Sequence, residues 1–243
     1  MIKPKYKVIG VMSGTSLDGL DLVYAEFVIN DSWSSKIIVA ETIQYSEKWS
    51  KTLKNLVSLS LDELSNIDKQ YTSYLASAIN DFITKNQISD LDVICSHGHT
   101  ALHQPEKGLT YQIGNMKELN RITGNIVVCD FRIQDVEFGG QGAPLVPIGD
   151  ALLFTDYDFC LNLGGFANVS LKMDSSRIAY DICPVNIVLN HYVSNLGLEY
   201  DDQGKVAESG MICNDLLSEL NANNYYQMSF PKSLGSSLNW VAR

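Results

Sequence analysis

Two stretches of this chain share one layout, and that layout constrains the fold more than any other feature. An apolar run from Lys7 to Val11 meets a polar, glycine-bearing bend (Met12 to Gly19) and a second run from Leu20 to Asn30. Far downstream, a run from Phe159 to Leu163 meets Gly164-Gly165 and a second run from Asn168 to Lys172. Short β-branched and aromatic runs split by glycine turns predict antiparallel strands in a meander. Ser35 to Tyr45 supplies a third strand to the first group, and Arg177 to Ile182 a third to the second.

Each group is followed by a helical pattern. After the first, Ser60 with Glu63 predicts a capping box. Leu61, Leu64, Ile67, Tyr71, Tyr74, Leu75, Ala78, Ile79 and Phe82 then recur at helical spacing, as a core face does. After the second, a helix is expected from Asn186. Between the groups lie a strand from Leu91 to Ser96, a helix near Met116 to Thr123, a strand from Asn125 to Phe131 and a glycine-rich stretch from Gly139 to Pro147. The expectation is a duplicated α/β plan around a cleft, with an N-terminal lobe 1–124 and a second lobe 125–243. Identity between the halves is too low to establish a repeat by itself.

Composition narrows the class of partner. A net charge of −10 argues against a chain built to grip nucleic acid, yet leaves room for one small anion held by backbone amides. The 45% hydrophobic content over 243 residues suffices for a packed core. No apolar run reaches the length of a membrane span, and the apolar run that follows Lys7 breaks at Gly10, too early for a secretory leader. Five scattered cysteines fit a reduced, cytoplasmic protein with no membrane partner.

Several stretches could carry chemistry. In Met12-Ser13-Gly14-Thr15-Ser16-Leu17-Asp18-Gly19-Leu20-Asp21, glycines bracket hydroxyl residues and an acid between two strands. Such a bend can aim backbone N–H groups at phosphate oxygens, and Asp18 could hold magnesium; an ordinary hairpin turn is the plain alternative. No Walker motif is present, which excludes a P-loop kinase. Gly164-Gly165 has the same logic and the same alternative. Cys129-Asp130-Phe131-Arg132-Ile133-Gln134-Asp135, followed by Gly139-Gly140-Gln141-Gly142, forms a polar cluster at a strand end. Asp130 and Arg132 share a face if the strand extends that far. Asp181 closes another strand ahead of Pro184-Val185-Asn186, as a general base or as a turn acid. Cys95, His97, His99 and His103 cluster, and alternation would put the first three on one face, but their spacing matches no standard zinc pattern. A hydrogen-bonding loop over a sugar fits them better.

Together these stretches resemble the anhydro-N-acetylmuramic acid kinase family. The resemblance rests on Gly10 through Asp21, Ser96-His97-Gly98-His99-Thr100, Asp130-Phe131-Arg132 with Asp135, Gly139 through Pro147, Asn162 through Asn168, and Asp181 with Pro184 and Asn186. It implies an α/β, two-lobe RNase H-like fold of the actin, sugar kinase and heat-shock ATPase type, with mixed sheets and an incomplete second lobe. It implies ATP and Mg2+, and conversion of 1,6-anhydro-N-acetylmuramic acid to its 6-phosphate with opening of the anhydro bridge by water, in peptidoglycan recycling. Carried to this chain, Gly14, Thr15, Ser16, Leu17, Asp18, Gly19, Leu20 and Asp21 would cradle the ATP phosphates, flanked by Gly164 and Gly165, with Asp18 toward the metal. Asp181 would be the general base, with Asp130 or Asp135 the second choice. His97, Gly98, Thr100, Arg132, Asp135 and Asn186 would line the sugar site.

Three features depart from the family pattern. His99 stands where the family usually has glutamine, and Ile182-Cys183 where it often has Thr-Gly. Family members are also usually longer, and the residues from Ser236 to Arg243 do not follow their usual continuation, so the expectation is a truncated form with poor or no kinase activity. The alternatives weighed beside the kinase are an inactive fragment or non-catalytic nucleotide- or sugar-binding protein, and a phosphatase or nucleotidase. A homodimer is the assembly entertained, although composition does not speak to it.

Overall fold

The computed structural model describes residues 3–14, 17, 19–143, 145–174, 176–230, 232 and 234. Thr15, Ser16 and Asp18, expected at the phosphate bend, lie outside the described residues. The chain divides into two compact units, Met1–Leu145 and Val146–Arg243.

The first unit opens with the expected meander: β1 (Lys5–Ser13), β2 (Leu20–Ile29) and β3 (Trp33–Ile43) pair antiparallel in sequence order. Helix α1 (Glu47–Lys54) and helix α2 (Leu61–Lys85) follow, and β4 (Val93–Gln104) then returns parallel to β1. β5 (Leu109–Ile113) runs antiparallel to the later half of β4. Helix α3 (Glu118–Thr123) leads to the two-residue strand β6 (Val127–Val128), parallel to the earlier half of β4, and helix α4 (Ile133–Glu137) closes the unit. The sheet order is therefore β3-β2-β1-β4-β5 with β6 also on β4.

Amphipathic periodicity places the core. Ile9, Val11, Leu20 and Leu22 from the sheet meet Leu64, Tyr71, Leu75, Ile79 and Phe82 from α2, all buried. Leu61, expected on the same face, instead points to solvent at the helix start. The capping box forms as the sequence implies: Glu63 N–H donates to Ser60 Oγ, and Ser60 N–H donates to Glu63 Oε2 at 2.8 Å. Ser60→Ala should lower stability by about 1 kcal/mol, read as a shift in the urea midpoint at unchanged slope.

The second unit begins with helix α5 (Val146–Leu153). β7 (Phe159–Leu163), β8 (Phe166–Met173) and β9 (Ser176–Pro184) form a second antiparallel meander, and helix α6 (Asn186–Ser194) follows directly. Helices α7 (Lys205–Glu208) and α8 (Asn214–Asn221) come after it. The strand–turn–strand–strand–helix order of the first unit thus recurs. Residues 125–145, expected in a second lobe, pack with the first unit, because β6 docks on β4 and α4 lies against β5. No described helix is long and apolar enough to cross a membrane.

Candidate active site

The C-terminal half of β4 positions the first cluster. Ala-free steric room is scarce at its centre: a Cβ on Gly98 would stand 2.6 Å from Ile113 O and 2.8 Å from Asn115 Nδ2, and its φ is +68°. Only glycine takes this left-handed conformation cheaply. The pairing to β1 shifts here, with Val11 opposite Ser96 and Ser13 opposite His99. That irregularity corrects the expectation that Cys95, His97 and His99 line up by simple alternation. His97 and His99 are both buried but engage different partners. Among the described residues, no group of three His, Cys, Asp or Glu side chains is arranged around a metal position. Gly98→Ala should cost about 2 kcal/mol through backbone strain and overlap, seen as an early urea midpoint.

His97 is pinned from both ring nitrogens. Arg132 Nε donates to its Nε2 at 3.0 Å, and its Nδ1 lies 2.9 Å from Gly98 O. Because the guanidinium can only donate, Nε2 is bare and the proton sits on Nδ1, donating to the carbonyl. Burial pushes the His97 pKa below its ordinary value, the Gly98 carbonyl opposes that, and the Arg132 charge adds to the lowering. Arg132 is held a second time by donation from Nη1 to Gly142 O at 2.6 Å. Two of its five N–H groups are thereby used.

Asp135, one turn further along α4, is the hub of the glycine-rich stretch. Its Oδ2 accepts the Gly142 amide at 2.6 Å, and its backbone carbonyl accepts the Gly140 amide at 2.7 Å. A Cβ on Gly140 would overlap the Asp135 carboxylate, so a larger residue there would displace that carboxylate from the Gly142 amide. The stretch is a built cradle, which is how the cost of ordering it is met. The strand before it ends early: β6 stops at Val128, Asp130 takes a left-handed φ of 58°, and Arg132 caps α4. Asp130 and Arg132 consequently do not share a strand face as alternation would have had them.

Asn115, which sequence reasoning passed over, ties this region together. Its Nδ2 donates to His97 O at 3.2 Å and to Asp130 Oδ1 at 3.0 Å, and its Oδ1 accepts from Ser96 Oγ. The Gly114-Asn115 pair between a strand and a helix was the available signal, since Gly114 has a φ of +95°. Beside it, burial and the adjacent Asp130 carboxylate push the Cys129 thiol up to about 11, which keeps it protonated and inert. Thr100 sits opposite Gln112 on β5, whose buried Oε1 is without a hydrogen-bond partner among the described side chains.

At the phosphate bend, β1 ends at Ser13, Leu17 has a φ of 60° and its N–H donates to Gly14 O at 3.3 Å. Gly19 is buried with a φ of +154°, and a Cβ there would meet Thr42 Cγ2 at 2.6 Å. Leu20 is fully buried, whereas Asp21 is exposed and accepts from Thr42 Oγ1. These two residues are strand positions of β2, and Leu20 contributes to the core.

In the second unit, Gly164 and Gly165 cap α6. Gly165 O accepts from Val185 N (2.9 Å) and Ile187 N (3.3 Å), and Gly164 O accepts from Asn186 N (3.3 Å). The Gly164 carbonyl thus faces the helix, and trans peptide geometry turns the Gly165 N–H to the opposite side, as an anion-facing bend requires. Asn186 is exposed and donates to Leu163 O at 3.2 Å. Asp181 sits on β9 opposite Asn168, partly buried. Its Oδ2 accepts the Leu234 amide at 2.9 Å, its N–H donates to Lys232 O, and its carbonyl accepts from Tyr225 OH at 2.7 Å. Tyr225, Lys232 and Leu234 were not legible as partners of this acid.

A three-stranded antiparallel meander extended by parallel strands, followed by a second meander with a matching glycine turn, defines a mixed α/β protein consistent with the sugar kinase and actin-like class. The family model described as "Anhydro-N-acetylmuramic acid kinase" matches residues 6–242, and the chain belongs to that family. It is similar to the protein of that name from Shewanella denitrificans, at 36% identity over 98% of this chain and 67% of that protein. It is likewise similar to the Haemophilus influenzae protein of the same name, at 34% identity over 98% of this chain and 64% of that protein. The chain spans about two thirds of the length of these relatives.

Proposed function

We propose that the chain acts as an ATP-dependent kinase on 1,6-anhydro-N-acetylmuramic acid, yielding N-acetylmuramic acid 6-phosphate in the cytoplasm during peptidoglycan recycling. The observation that carries this reading is the doubly held Arg132 beside Asp135. A guanidinium fixed through two of its donors presents the others in a set geometry, suited to the carboxylate and hydroxyls of an acidic amino sugar. His97, Gly98 and Thr100 on β4 complete the sugar-side set of the first unit, and Asn186 is assigned to the sugar as a separate part of this proposal.

The Gly14–Gly19 bend is assigned to phosphate, and so, taken separately, is the Gly164-Gly165 bend; Leu20 and Asp21, paired into β2, leave the assignment. The orientation of the Gly165 N–H and the glycine-only geometry at Gly19 fit that assignment. Metal binding is assigned to Asp18; ATP sites hold magnesium with one or two carboxylates beside the phosphates, so no many-ligand cage is needed. The metal, when bound, supplies neutralisation of charge on the phosphates. Asp181 takes a proton from water as that water attacks the anomeric carbon. The bond from that carbon to O6 breaks, and O6 bonds to the γ-phosphorus as its bond to the β–γ bridging oxygen breaks and ADP leaves. The hydroxyl of the water ends on the anomeric carbon, and its other proton ends on Asp181.

The test is product analysis. Incubation with ATP, magnesium and the anhydro-sugar should yield ADP and phosphosugar together, in equal amounts. Free phosphate without phosphosugar would overturn the kinase reading in favour of a phosphatase or nucleotidase, and nucleotide binding without turnover would favour a non-catalytic binding protein.

A further inference from the structure

We infer that His99 is a positioning residue for the phosphate bend, acting by donating Nδ1–H to Ser13 at the point where β1 ends. This inference deepens the kinase reading, because the bend it positions is one assigned to phosphate.

The protons of the cluster around Ser13 fix the direction of that bond. Ser13 Oγ lies 2.7 Å from Tyr45 OH, 2.7 Å from Tyr71 OH and 2.8 Å from His99 Nδ1, and the two phenols are 2.9 Å apart. Four contacts need four protons, and three hydroxyls hold three; any further partner of Tyr45 adds one contact and at most one proton, so the shortfall of one stands. All four are filled together when the hydroxyls donate in a ring, Ser13 to Tyr45 to Tyr71 to Ser13, and His99 supplies the fourth proton from Nδ1. Ser13 then donates once and accepts twice, which is its full capacity. The tautomer with Nδ1 bare leaves one contact between two oxygens unfilled inside a buried cluster, which is costly.

The placement gives that bond its consequence. Ser13 is 1% exposed and is the last residue of β1, with Gly14 directly after it. The cluster draws on four separate elements: β1, the segment after β3, α2 and β4. Tyr71 also meets the His99 ring edge-on at 6.2 Å. His99 also lies two residues from His97, so one short, glycine-kinked piece of β4 touches both the Arg132 side and the bend. Fixing the strand end from which the bend departs reduces the ordering cost of binding an anion there.

The experiment uses the full chain and two independent readouts. Imidazole 15N spectra of the free protein at neutral pH should show His99 protonated on Nδ1 and bare on Nε2, with the Nδ1 signal displaced in Ser13→Ala. Amide hydrogen exchange across residues 14–21 should accelerate about tenfold or more in His99→Leu, and return toward the parent rate in His99→Gln, whose amide is also a donor. Affinity for ATP should fall in His99→Leu and recover in His99→Gln. Should His99→Leu fail to fold, Ser13→Ala carries the exchange comparison alone. An Nε2-protonated ring, or exchange at 14–21 insensitive to these substitutions, would overturn the inference. If the parent chain binds no ATP, the kinase reading fails, while the spectra and exchange rates still decide the role of His99.

Discussion

Replacing Asp181 by asparagine should reduce phosphosugar formation by about 10² to 10⁴-fold, the range removed with a general base, while nucleotide affinity is unchanged. The Leu234 amide donates to a side-chain oxygen, of which asparagine retains one, and the bonds to Lys232 O and Tyr225 OH involve only the Asp181 backbone. The substitution removes the carboxylate's charge and with it the capacity to accept a proton from water. Rates with saturating ATP and sugar, paired with a nucleotide titration, separate the effects. A variant that retains parent turnover would remove Asp181 from the chemistry and move attention to Asp130 or Asp135. Both of those are already engaged, Asp130 by Asn115 and Asp135 by Gly142.

The second large effect is on stability in acid. Burial, helped by the nearby His97, lowers the His99 pKa from 6.5 to about 4. Ser13, Tyr71 and His97 are the groups that bear on it. Between those two pH values the unfolded chain binds a proton that the folded chain does not, so stability rises with pH across the window. It is complete above pH 6.5 and is lost progressively as pH falls toward 4, by about 3 kcal/mol from this one residue. Urea denaturation at a series of pH values should show that slope, and His99→Gln should flatten it. The remaining slope belongs in part to His97, whose pKa is lowered in the same direction. An unchanged slope in the variant would place the acid sensitivity elsewhere.

The two meanders were readable because in each a glycine-marked turn splits two runs rich in β-branched and aromatic residues. The capping box at Ser60 and the face of α2 were readable for the same local reason. What failed did so through tertiary context. The stretch from Asn125 to Phe131 has strand composition, but the left-handed Asp130 and the start of α4 cut the strand to Val127–Val128. Alternation on β4 was broken by Gly98, whose conformation depends on Ile113 and Asn115 across the sheet. At the site, His97, Arg132 and Asp135 were identified by motif, yet their joining was not: Arg132 holds the His97 ring and Gly142 O, Asp135 holds the Gly142 amide, and Asn115 holds His97 O. The Ser13, Tyr45, Tyr71 and His99 cluster joins residues from distant parts of the chain. No spacing rule reaches across such separations.

The measurement that tests the account most directly is turnover in water enriched in oxygen-18, with ATP, magnesium and the anhydro-sugar, sampled early by mass spectrometry. The account predicts one heavy oxygen at the anomeric carbon of the phosphosugar and none in its phosphate, with Asp181→Asn lacking the product. Heavy oxygen in released phosphate, with the anhydro-sugar left intact, would contradict it.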